Sequence, residues 1–165
     1  MVRGVRPADV EAIQRIYADE VTSGLASFEE EPPDVAEIAS RIAHVGELGL
    51  PYLVAADDGT GDLLGFGYCA PYRPRAAYRF TVEDSVYVAP DARGRGVGRA
   101  LVEALLTACT AAGVREVIAV IADTGDPASI ALHRRLGFVD AGRLTAVGYK
   151  HGRWLDTVRM QRSLP

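Results

Sequence analysis

Residues 82–102 read VEDSVYVAPDARGRGVGRALV. An alternating apolar run, Val82 to Val88, gives way to the turn Ala89-Pro90-Asp91-Ala92 and then to Arg93-Gly94-Arg95-Gly96-Val97-Gly98-Arg99 and an apolar helical pattern. A strand thus feeds a glycine- and arginine-rich loop that opens a helix. Glycines let the backbone approach a ligand and turn its N–H groups toward one point. The helix start adds unpaired N–H groups and a partial positive charge. Arg93, Arg95 and Arg99 add full charges, so the stretch reads as a pyrophosphate cradle. The alternative is an ordinary glycine-rich turn with solvated arginines.

The glycine spacing discriminates among pyrophosphate binders. The dinucleotide fingerprint needs G-x-G-x-x-G directly after a strand and an acid near the end of the next one. Asp123 does end the next apolar run, but Arg99 stands where the third glycine belongs. The phosphate loop of nucleotide hydrolases is excluded, because no Gly-Lys-Ser/Thr follows.

The chain has 165 residues, the size of one domain, and 48% of them are hydrophobic, enough for a sizeable core. A net charge of −4 argues against general nucleic-acid binding. Cys69 and Cys109 lie in apolar runs without metal spacing and read as reduced core residues. The scattered His44, His133 and His151 suggest no metal site. The first residues do not read as a signal peptide and no apolar run approaches a membrane span, so a cytoplasmic protein without membrane contact is expected.

Working outward, residues 2–6 read as a first strand and Pro7 as a helix start, with Val10, Ile13, Ile16, Tyr17 and Val21 at helical spacing. Residues 22–33 break the pattern; Phe28 reads either as an anchor for this loop or as a wall of a pocket, and Glu29, Glu30 and Glu31 as a solvated run. A second helix is expected over about 34–47, strands over 52–56 and 63–72 around a turn, and a third strand over 80–88. Gly65 and Gly67 suggest a bulge or a close neighbour. The connection PYRPRAAYRF, residues 71–80, reads as a solvated loop or as an anion-binding rim. Period two puts Glu83, Ser85 and Tyr87 on one face of the 82–88 strand and Val82, Asp84, Val86 and Val88 on the other. Gly113 should end the helix after the glycine loop. Residues 116–122 read as a strand buried on both faces, Asp126 as the N-cap of a helix with Pro127 in its first position, and 139–147 and 154–162 as closing antiparallel strands joined by Gly148 to Arg153.

The resulting order, β-α-α-β-β-β-α-β-α-β-β, and the Arg93-x-x-Gly96-x-Gly98 signature resemble the GNAT superfamily of N-acetyltransferases, which bind acetyl-CoA. The resemblance implies an α/β fold with a mixed central sheet of about seven strands flanked by helices, spanning residues 1–165 as one domain. Asp126-Pro-Ala-Ser129 through His133 to Gly137-Phe138 looks like the family's second cofactor segment, with Asp126 where asparagine is usual and His133 where many members carry tyrosine. The stretches Ala26-Ser27-Phe28, Arg75-Ala-Ala-Tyr78-Arg-Phe-Thr-Val-Glu83 and Gly148-Tyr149-Lys150-His151-Gly152 narrow the likeness to the phosphinothricin acetyltransferase group, in which histidine at the His133 position is normal. That group acetylates the α-amino group of phosphinothricin, methionine sulfoximine or methionine sulfone and forms homodimers.

By this resemblance acetyl-CoA lies along Val86, Tyr87 and Val88, along Arg93, Gly94, Arg95, Gly96, Val97, Gly98 and Arg99, and against Asp126, Ser129 and His133. Glu83 is the expected general base. A Val86 or Val88 N–H polarises the thioester oxygen. His133 either protonates the departing sulfur or is a helix histidine bonded to the cofactor or a carbonyl. Phe28, Arg73, Arg75, Tyr78 and Lys150 are expected around the amino-acid substrate, the guanidinium forks suiting its anions. No metal is implied. Two other readings stay open: an acetyltransferase for another amine, such as a protein N-terminus, and a CoA-binding protein without catalysis.

Overall fold

The computed structural model describes residues 1–165. In chain order the elements are β1 (Val2–Gly4), α1 (Val10–Ser23), α2 (Val35–Glu47), β2 (Tyr52–Ala56), β3 (Leu63–Pro71), β4 (Thr81–Val88), α3 (Val97–Ala111), β5 (Glu116–Ala122), α4 (Ala128–Arg135), β6 (Val139–Lys150) and β7 (Arg153–Ser163). The seven strands form one sheet in the order β1-β2-β3-β4-β5-β7-β6. Every neighbour is antiparallel except β4 and β5. That mixed sheet matches the expectation and departs from the mostly parallel sheet a dinucleotide fold requires. Asp123, the acid of that rival reading, is hydrogen-bonded to Arg143.

Helices cover the two faces unequally. On one face Leu101, Val102, Leu105, Leu106 and Cys109 of α3 pack on Val82, Val117, Ala119 and Met160, with Leu136 and Phe138 closing the cluster beside α4. On the other, Ile13, Tyr17 and Val21 of α1 and Ile38 and Val45 of α2 pack on Tyr52, Val54 and Phe66. The alternation of β4 serves both: Val82 and Val86 join the α3 cluster, Tyr87 the α1–α2 cluster. Gly67 lets α3 cross closely, since a Cβ there would lie 3.0 Å from a Leu105 methyl. The bulge lies on β3 beside Gly65: Ala55 pairs with Gly65 and Ala56 with Leu63, which leaves Leu64 as the extra residue.

Several boundaries differ from expectation for local reasons. The first strand ends at Gly4, and Pro7–Asp9 form a 3-10 turn before α1, because Asp9 turns back to bond the Arg3 guanidinium and the Arg6 N–H. The closing strands run on to Lys150 and from Arg153, leaving a two-residue turn in which His151 (φ 50°) and Gly152 (φ 73°) are both left-handed, the geometry that suits a tight hairpin. α4 begins at Ala128; Asp126 caps from one residue further out, its Oδ1 accepting the Ala128 N–H at 2.9 Å. β5 is not buried on both faces, because Val120 is 38% exposed toward a cleft.

Candidate active site

β4 and β5 pair over only four rungs, from Thr81↔Glu116 to Asp84↔Ala119. Past Asp84, β4 stays paired with β3 as far as Val88, and β5 stays paired with β7 as far as Ala122, but the two strands part. The Ala89 N–H donates to Leu64 on β3, so by alternation the Val86 and Val88 backbone groups point into the opening. Their N–H groups form an unpaired polar edge inside the fold.

The glycine loop closes one end of this opening. Gly94 (φ 73°) and Gly96 (φ 82°) are left-handed, and a Cβ on either would meet nothing within 4 Å, so the space before the loop is open. The first helical bond of α3 runs from the Ala100 N–H to the Gly96 carbonyl, which leaves the amides of Val97, Gly98 and Arg99 free at the helix end. The arginines are exposed and paired with carboxylates: Arg93 with Glu20 at 3.3 Å, Arg95 with Asp57 at 3.7 Å, Arg99 with Glu103 at 2.9 Å. Such surface pairs are weak and yield to a stronger anion. Open glycines, free amides and nearby guanidiniums suit a diphosphate.

On the other side of the opening lies a cavity of 350 Å³, lined by Tyr17, by residues 26–29, by Glu83, Ser85 and Tyr87 of β4, by Val120 and Ala122 of β5, and by Thr157 of β7. Glu83 is half-buried here, and burial raises its carboxyl pKa above the ordinary value. The adjacent Asp84 charge adds to the rise, while Arg73 and Arg159 oppose it. A carboxylate raised in this way is a better proton acceptor.

The roof is the segment between α1 and α2, fixed from three directions. Tyr17 bonds Ser27 Oγ at 2.9 Å and donates to Glu29 at 3.0 Å; its hydroxyl pKa is pushed up to about 12, mainly by burial. Arg41 clamps Glu29 at 2.6 Å, so this glutamate is structural and not part of a solvated run. Lys150 Nζ donates to the Ser27 carbonyl at 2.7 Å. The Phe28 ring occupies the space a side chain at Gly148 would fill.

Of the expected substrate residues, Phe28 and Glu83 line the cavity. Lys150 is 3% exposed and lies beneath the roof, its pKa lowered by burial. Arg73, Arg75 and Tyr78 stand on the exposed connection into β4, with Arg73 stacked on Tyr72 at 4.5 Å and Tyr78 edge-on to the same ring at 5.8 Å. Asp126 and Ser129 are exposed at the start of α4. His133 lies behind β4, on the face opposite Glu83, and is 5% exposed. Its Nε2 meets Asp84 Oδ2 at 3.0 Å and its Nδ1 meets the Ser129 carbonyl at 2.8 Å. Burial lowers its pKa, but the Asp84 bond and charge outweigh this and the net direction is up. Sequence reading did not single out Asp84, Tyr17, Glu20 or Thr157. Asp84 carried a signal, a charge at a core-facing position of a strand.

The acetyltransferase (GNAT) family pattern matches residues 11–138. The chain belongs to this family of acetyltransferases. It is 56% identical to a phosphinothricin N-acetyltransferase of Alcaligenes faecalis, over 99% of this chain and 82% of that protein. It is 41% identical to an L-methionine sulfoximine/L-methionine sulfone acetyltransferase of Pseudomonas aeruginosa, over 99% and 94%. The crystal structure of a GNAT superfamily phosphinothricin acetyltransferase from Sinorhizobium meliloti in complex with AcCoA is similar at a TM-score of 0.95 and 49% identity, over 99% of this chain and 88% of that one. The chain has no helix long and apolar enough to cross a membrane and no cluster of three metal-ligating acids, histidines or cysteines.

Proposed function

We propose that residues 1–165 act as one acetyltransferase domain that moves the acetyl group of acetyl-CoA to the α-amino group of a small amino-acid-like acceptor such as phosphinothricin, methionine sulfoximine or methionine sulfone. The observation that carries this reading is the half-buried Glu83, its pKa raised, on the wall of a cavity that adjoins the unpaired edge of β4. The amides of Val97, Gly98 and Arg99 with Arg93, Gly94, Arg95 and Gly96 hold the diphosphate of acetyl-CoA, and Val86 to Val88 lie along its acyl end. Bound there, acetyl-CoA supplies the thioester to be attacked.

An α-amino group has a pKa of about 8, so at neutrality one proton must leave before the nitrogen attacks. Glu83 accepts that proton, directly or through one water. The Val86 or Val88 N–H stabilises the developing oxyanion from a fixed position. Both nitrogens of His133 are already bonded, so His133 acts as support for β4 and α4, and water protonates the departing thiolate. Arg73, Arg75 and Tyr78 receive the acceptor's α-carboxylate at the start of β4. The enzyme is cytoplasmic, which suits its two free cysteines. It works as a homodimer: the β6–β7 hairpin carries Val147, Tyr149 and Trp154 at 51%, 57% and 69% exposure, an apolar patch suited to a second copy. Light scattering should return twice the mass of the chain, and Trp154→Ser should lower it.

The test is thiol release from acetyl-CoA over a panel of amino acids with the parent and Glu83→Gln. Parent turnover with phosphinothricin or a methionine derivative and a loss of about 10²–10⁴-fold in Glu83→Gln near pH 7 are expected. A variant with full activity there, chemistry being rate-limiting, places the base elsewhere. A parent active only on peptides beginning with a free amine favours the protein N-terminus as acceptor.

A further inference from the structure

The acceptor cavity adjoins one cation that the rim arginines do not account for. β7 turns Thr157, Arg159 and Gln161 to the cavity face, while Val158 and Met160 turn to the α3 core. Its register with β5 sets Thr157 against Ala122, Arg159 against Val120 and Gln161 against Ile118. Thr157, Ala122 and Val120 line the cavity, and Ile118 in turn pairs with Glu83. Arg159 therefore stands beside the floor residue Val120, and Val120 is itself one diagonal step from Glu83. Its neighbour on the far side is Gly142, which has no side chain to cover it.

Seven other arginines meet a carboxylate. Arg159 is half-buried and meets none. A partly desolvated guanidinium without a counter-ion is costly by itself and is relieved by an incoming anion. Its planar fork suits a two-oxygen acid. Arg73 and Arg159 both reach Glu83 electrostatically, from opposite sides: Arg73 from the connection into β4, Arg159 from across β5. β7 lies two strand spacings of about 4.8 Å from β4. With the α-carboxylate taken by Arg73, Arg75 and Tyr78 at the start of β4, Arg159 on the opposite side of Glu83 faces the other end of the acceptor, its side chain.

We propose that Arg159 is a specificity-determining residue of the acceptor site, holding the side-chain oxyanion, a phosphinate or a second carboxylate, of an amino acid whose α-amino group lies at Glu83. This rests on the acetyl-transfer reading above, and it makes acceptors with an acidic side chain the preferred class.

Phosphinothricin, with an anionic side chain, and methionine sulfone, with a neutral one, separate this role from others. In Arg159→Gln, kcat/KM for phosphinothricin should fall about 10–100-fold, as expected for a lost charge-assisted contact, with methionine sulfone changed less than about twofold. Arg159→Lys should restore part of the phosphinothricin rate and leave the sulfone rate alone. Equal losses on both acceptors would assign Arg159 to the shared α-carboxylate or to the fold and overturn the proposal. So would an unchanged ratio, or a parent that turns over methionine sulfone but not phosphinothricin. A parent that releases no thiol with either acceptor instead overturns the acetyl-transfer reading, and this proposal with it.

Discussion

Replacing His133 with alanine should cost the fold more than almost any other single change near the site. The Asp84 side chain is 3% exposed. Its Oδ1 has no partner, and Oδ2 is held by His133 Nε2 at 3.0 Å. Deleting the imidazole strands a buried carboxylate, a change that costs about 3–5 kcal/mol. It also removes an edge contact with the Phe138 ring at 4.9 Å. Against the usual total of about 5–15 kcal/mol, this is a large share. The loss should depend on pH in a definite direction. The folded-state pKa of His133 is raised, while the unfolded value is about 6.5. Below about 6.5 both states hold the proton and the pair contributes fully. As pH rises, the unfolded chain deprotonates first, and the contribution is lost as pH passes the folded value. Urea unfolding followed by circular dichroism at pH 6, 7.5 and 9 measures this. Glu83 and Cys69 also lie in the field of Asp84, so the quantity to read is the difference between parent and variant at each pH. That difference should be largest at pH 6 and shrink by pH 9. A cost under about 1 kcal/mol at pH 6, or parallel pH curves, would refute the ion-pair argument.

Gly96→Val would force a branched residue into φ 82° and project methyl groups into the open space before the loop. Acetyl-CoA affinity by calorimetry should drop about tenfold or more, and an unchanged affinity would move the phosphate site elsewhere. Gly148→Ala sets a Cβ against the Phe28 ring. It should destabilise by about 1–3 kcal/mol and raise the acceptor KM while leaving acetyl-CoA affinity intact; steady-state kinetics that show the reverse would detach Phe28 from the acceptor site.

The parts of this site that were legible in the sequence are local. The arginine and glycine spacing at 93–98, the alternation that separates Glu83 from Asp84, and the helix–strand order each depend on residues within one or two elements, and the fold follows them. The pairs that complete the site join distant segments. Asp84 meets His133 across 49 residues and Lys150 reaches Ser27 across 123, and no local pattern encodes either. Lys150 is expected at the substrate through the resemblance of its stretch alone; here it is buried beneath the roof, where the Ser27 carbonyl accepts from its ammonium. Arg159 becomes a neighbour of Glu83 only through the register of three strands. Alternation alone would have placed it on the face of Thr157, and a cation in the middle of a strand was the available clue. The six residues expected to join the last two strands shrank to a two-residue turn because a histidine adopts the conformation usually left to glycine or asparagine.

The short ladder between β4 and β5 also has a mechanical meaning. Within the sheet, β1 to β4 form one plate and β5 to β7 another, and between Thr81 and Asp84 four rungs act as the pin that joins them, with α3 packed across the seam on one face. Rotation about that pin changes the width of the cleft while breaking no other strand pairing. Backbone protection against hydrogen exchange should therefore divide along this seam, each plate opening as its own cooperative unit. Substitutions in the rungs themselves, far from any ligand, would then tune how readily the cleft opens to admit a substrate and release a product.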